Sequence, residues 1–123
     1  MTLKDMERHA ERWIAAWNRR DVDAVLADYA DDARFVSPKA LTFVGSARIE
    51  GKAALGNYWR TALERIPTLV FTLDRVLCDV EQREMVVLYE ANLGGTRARA
   101  CEFMRFDEAG RQIEGEALYG APF

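Results

Sequence analysis

Apolar side chains recur at helical spacing over residues 3–19. Met6, Ala10, Trp13, Ile14 and Trp17 fall on one face, which predicts an amphipathic helix. Asp21 is placed to cap a second helix, DVDAVLADYA, that would bury Val25, Leu26 and Tyr29. The run ARFVSP predicts a short strand stopped by Pro38, and LTFVG a further strand in an irregular stretch. Gly51 opens a third helix, GKAALGNYWRTALERI, that ends before Pro67. Beyond it the period falls to two. TLVFTLDRVLCDV, EMVVLYEAN, TRARACEFMRF and RQIEGEALYG read as strands, separated by turn signals at EQRE, LGG and DEAG. Helices first and a four-strand meander afterwards predict an α+β fold, with three helices on one face of an antiparallel sheet. With no repeat, low-complexity segment or linker, residues 1–123 read as a single domain.

The strand RARACEFMRF carries an anomaly. Alternation puts Arg97, Arg99, Cys101, Phe103 and Arg105 on one face and Ala98, Ala100, Glu102, Met104 and Phe106 on the other. The second face is apolar except for Glu102, and the fold class turns it towards the helices. Burial disfavours a charged carboxyl, so Glu102 is expected to titrate above its ordinary value, at about 6–7. It would then act as general acid, general base or neutral hydrogen-bond donor. The other reading is structural, with the carboxyl satisfied by an arginine or by the indole N–H of Trp13 or Trp59.

Composition narrows the field. Half of the 123 residues are apolar and the net charge is −3, as in an ordinary globular chain and unlike a nucleic-acid binder with a clustered basic face. The charged start MTLKDMERHAERW and the lack of any long apolar run predict no membrane segment and a cytoplasmic protein. Cys78 and Cys101 read as buried free thiols. His9 is the only histidine, so neither a His-based metal cluster nor a Ser-His-Asp triad can be assembled, and no metal or cofactor is expected. His9 lies one turn before Trp13 and reads as a solvent-edge residue. Asp31 and Asp32 read as turn or cap residues before the first strand. Glu114 and Glu116 fall on the outer face of the last strand, within reach of Arg97, Arg99 or Arg105.

ERWIAAWNRRDVDAVLADYADDARFVSP at 11–38, IEGKAALGNYWRTAL at 49–63 and the closing EFMRFDEAGRQIEGEALYG together resemble the nuclear transport factor 2-like superfamily, in its SnoaL-like and ketosteroid-isomerase-like branch. The resemblance covers almost the whole chain. It implies a curved sheet wrapped round helices into a cone, also described as a cystatin-like roll, with a deep apolar pocket at one end and homodimers formed through the outer sheet face. In ketosteroid isomerases a carboxylate base precedes the proline after the first strand, and the matching residue here is Ser37. The oxyanion-hole tyrosine matches Trp13, and a supporting tyrosine on the third helix matches Trp59. The second oxyanion donor, a carboxylic acid held neutral in an apolar site, matches Glu102. With two of three chemical groups missing, steroid isomerisation is not expected.

What remains is a pocket protein for a small apolar carbonyl metabolite. Glu102 would be its polar centre and Ser37 a second donor. Trp13, Trp17, Tyr29, Phe35, Trp59, Tyr89, Met104 and Tyr119 would form the wall. The alternative is a non-catalytic ligand-binding or dimerisation domain whose cone is filled solidly by those rings.

Overall fold

A computed structural model describes residues 1–122. The first helix, α1 (Leu3–Asn18), starts at a reciprocal cap. The Thr2 hydroxyl accepts from the Asp5 N–H, and the Asp5 carboxylate accepts from the Thr2 N–H. Met6, His9, Ala10, Trp13, Ala16 and Trp17 are its buried stripe, as helical spacing requires. Asp21 caps α2 (Val22–Leu26) through the Ala24 N–H at 3.0 Å, in the role expected of it.

That second helix is shorter than its pattern suggests. Tyr29 and Ala30 belong to β1 (Tyr29–Val36), where Tyr29 registers with Gln112 and packs edge-on against Trp59. Asp31 and Asp32 are exposed residues inside this strand, at a break in its register, and not cap residues before it. The LTFVG segment is also not a strand. It lies in α3 (Pro38–Val44), with Ser37 as N-cap, proline in the first turn and Gly45 left-handed at φ +81° behind it. A three-residue strand, β2 (Arg48–Glu50), follows, and α4 (Lys52–Arg65) ends before Pro67.

The last four strands run as expected: β3 (Leu69–Asp79), β4 (Glu84–Leu93), β5 (Thr96–Phe106) and β6 (Gln112–Pro122). They form a meander within one curved, unclosed six-stranded sheet of order β2-β1-β6-β5-β4-β3. The sheet is not wholly antiparallel. β1 lies parallel to β6, with Phe35 beside Gly115. A Cβ at Gly115 would stand 2.9 Å from the Phe35 ring, so glycine there lets that ring cross the seam into the core.

The helices cover the concave face. Asn18, the last residue of α1, fastens them to the sheet. Its side-chain amide donates to the Phe71 carbonyl at 2.9 Å and accepts from the Phe71 N–H at 2.7 Å. On the convex face the arginines meet carboxylates. Arg105 bonds to Glu84 at 2.6 Å and lies 3.7 Å from Glu114, Arg99 meets Asp74, Arg97 meets Glu90, and Arg34 meets Glu114. Cys78 and Cys101 are free and half-buried, not buried: Cys101 lies on the partly covered outer face beside Leu88 and Leu118, whereas Cys78 sits at the margin of the core, in register with the buried Met85.

Candidate functional site

β5 turns Ala100, Glu102, Met104 and Phe106 inward, and all four are buried. Glu102 is 2% exposed, and Cα register places it between Val87 of β4 and Ala117 of β6. No arginine or indole satisfies it. Among the described residues no ion pair involves Glu102, and the indole N–H of Trp13 has no acceptor. Burial first, and the negative Glu116 second, push its carboxyl up to about 8, so it is mostly protonated at neutral pH.

Four phenols feel this group. Tyr29, Tyr58, Tyr89 and Tyr119 all have pKa values raised by burial first, with a negative charge on Glu102 adding to the rise; at Tyr58 the hydrogen bond to Ser37 opposes it. Each therefore remains a neutral phenol throughout the range in which Glu102 titrates.

A cavity of about 60 Å³ opens beside the carboxyl. That is several times the roughly 10–15 Å³ one enclosed water requires. Its wall brings together Glu102, Ser37, Trp13, Trp17, Phe35, Trp59, Tyr89 and Tyr119, eight of the ten residues expected there. The aromatic packing is tight but leaves this gap: Trp17 meets Trp59 edge-on at 5.1 Å, Trp13 stacks on Phe71 at 5.6 Å, and Phe71 lies 4.7 Å from Tyr89. Tyr29 and Met104 are off the wall. Both are fully buried, and Tyr29 stands behind Trp59.

Ser37 lines the cavity while capping α3. Its Oγ accepts from the Lys39 N–H at 3.2 Å and from the Tyr58 hydroxyl at 3.5 Å. With both lone pairs engaged, its own proton is what Ser37 has left to offer a guest. Tyr58 escaped the sequence reading. It follows from helical spacing only once α4 is seen to bury Leu55, Tyr58, Trp59 and Ala62 together. Phe43, also on the wall, falls in the LTFVG segment expected to be a strand, and Lys39 in the unassigned residues just before it.

His9 is not at a solvent edge. It is 2% exposed, its Nε2 lies 3.1 Å from the Gln112 side-chain oxygen, and its ring meets Phe106 edge-on. Burial lowers its pKa, against an opposing pull from Asp28 3.8 Å away. It sits one turn of α1 below Trp13 and off the cavity wall. No cluster of three His, Cys, Asp or Glu side chains is found among the described residues. No helix among them is long and apolar enough to cross a membrane.

Residues 10–114 match the family profile of the SnoaL-like domain. The chain belongs to the SnoaL-like family. A SnoaL-like protein of unknown function from Burkholderia thailandensis E264 is 33% identical over 98% of this chain and 99% of its own, with a TM-score of 0.85. A protein of unknown function with a cystatin-like fold from Methylobium petroleophilum PM1 is 24% identical, covering 100% of this chain and 80% of its own at a TM-score of 0.81. A proposed ketosteroid isomerase from Kribbella flavida DSM 17836 is 20% identical, covering 98% and 81% at a TM-score of 0.76. At those identities the last two speak for the fold alone. In this SnoaL-like chain the four positions matched to ketosteroid isomerase groups, Trp13, Ser37, Trp59 and Glu102, converge on one cavity. Only Glu102 among them carries an acid.

Proposed function

We propose that this SnoaL-like chain binds a small, largely apolar carbonyl compound in the Glu102 cavity. The neutral carboxyl donates a hydrogen bond to the carbonyl oxygen. In its ionised fraction it takes a proton from the adjacent carbon, which is the chemistry of a cofactor-independent isomerase, cyclase or lyase. The observation that carries this reading is a carboxyl 2% exposed, without a counter-ion, on the wall of a cavity otherwise built from rings and aliphatic groups. Ser37 adds a second donor.

2-Cyclohexen-1-one tests it. Binding should quench tryptophan fluorescence and shift the bound carbonyl stretch to lower frequency, and Glu102→Leu should abolish that shift. In D2O the chain should exchange protons next to the carbonyl, faster as pH rises towards 8, whereas Glu102→Gln should not. Binding without exchange would leave a non-catalytic binder. Binding unaffected by Glu102→Leu would remove the role assigned to this carboxyl.

The convex sheet face is the surface through which two copies associate. Cα register aligns Leu88, Cys101 and Leu118 across three strands, and Leu77, Val86 and Phe103 beside them. Leu77 and Leu118 are 55% and 45% exposed. Arginine–carboxylate pairs of both signs flank this apolar band, which suits a self-complementary contact.

A further inference from the structure

Two cations stand on rings of the cavity wall although the chain as a whole is negative. Lys39, half-buried in the first turn of α3, holds its Nζ 4.6 Å over the Tyr119 ring. The Arg65 guanidinium lies 5.7 Å over the ring of Phe43. Both rings belong to the cavity wall. A cation resting on an aromatic face is positioned there but keeps its charge. Most of the arginines on the convex face have a carboxylate partner, whereas the Lys39 ammonium rests on a ring. It is not the counter-ion of Glu102 either. Among the described residues no ion pair joins the two.

The polar groups of the wall are therefore donors. Lys39 offers an ammonium, Ser37 a hydroxyl proton, and Glu102 the O–H of its neutral carboxyl. Glu102 is the one carboxyl among the lining residues, so nothing on the wall repels an anion while it stays protonated. A neutral ketone would use the inner donor and leave the ammonium at the rim idle.

Building on the reading of Glu102 above, we propose that the guest is an apolar oxo acid, with its carboxylate at Lys39 and its carbonyl oxygen at Glu102. The aromatic wall between the two points takes the hydrocarbon part. Arg65 strengthens the field at the rim.

The test compares 3-benzoylpropionate, whose two methylenes separate carbonyl from carboxylate, with its methyl ester, which keeps the ring and the oxo group and loses the charge. At pH 7 and low salt the acid should bind about tenfold more tightly, an advantage that shrinks as salt is added. In Lys39→Gln the ratio of the two affinities should fall to about one, and in Lys39→Arg it should persist. Equal binding of acid and ester by the parent chain would overturn the proposal. So would a ratio unchanged in Lys39→Gln, or no binding of the acid at roughly 10 mM. The failures are distinguishable. Ester binding that weakens in Glu102→Leu without any preference for the acid sinks the lysine contact and leaves the Glu102 reading standing. Binding of both compounds that ignores Glu102→Leu sinks the deeper reading.

Discussion

Glu102 links fold and chemistry at the scale of a single residue. Unfolded, its carboxyl titrates near 4.5, whereas in the fold it holds its proton to about 8. Between those values the native chain binds a proton the unfolded chain has released, so stability falls as pH rises through that window. The difference amounts to about 3 kcal/mol at pH 7. Glu102→Gln keeps the shape and removes the titration. It should be more stable than the parent chain by about 2–3 kcal/mol in urea melts at pH 7 and equal to it near pH 4. A gap that did not change with pH would contradict this. His9 acts with the opposite sign. Its lowered pKa means that acid, below the ordinary value of 6.5, costs stability as the folded value is passed. The two residues also differ in legibility. A lone carboxyl in an apolar row is visible from alternation alone. The burial of His9 depends on Gln112, whose partnership spans 103 positions of the chain and leaves no local trace.

Elements repeat the contrast. The long periodic ones, α1, α4 and the meander, follow from their patterns because each buries a whole face. The short ones did not. LTFV is too brief for apolar spacing to separate helix from strand. The deciding signal lay at its ends, in the serine and proline before it and the glycine behind. That misreading concealed the place of Phe43 on the wall, and Lys39, in the unassigned residues before it, showed no pattern that would place it there. The junction of α1 with β3 was equally silent in sequence, since one asparagine supplies it. Asn18→Ala would leave the half-buried N–H and carbonyl of Phe71 without their partner. It should destabilise the chain by about 2 kcal/mol and speed hydrogen exchange at the Phe71 amide. Unchanged exchange at that amide would show the junction to be dispensable.

For the whole molecule, the sheet divides its labour by face. The concave side closes over the aromatic cavity, and the convex side presents the apolar band bounded by charge pairs. If that band joins two copies, the parent chain should sediment as a dimer and Leu118→Glu as a monomer. A monomeric parent at about 100 μM would end the assignment, because stable interfaces of standard size bind more tightly than that. The sheet is also unclosed, and β3 stands at one end of its order. An exposed end strand invites foreign strands to add to it, the first step in fibre growth. At Phe71 the positions such a strand would occupy are already taken by the Asn18 amide, a single side chain imitating a neighbouring strand. The clasp that holds helix to sheet thus also blunts a template, and a chain without it would be prone to self-propagating aggregation from that edge.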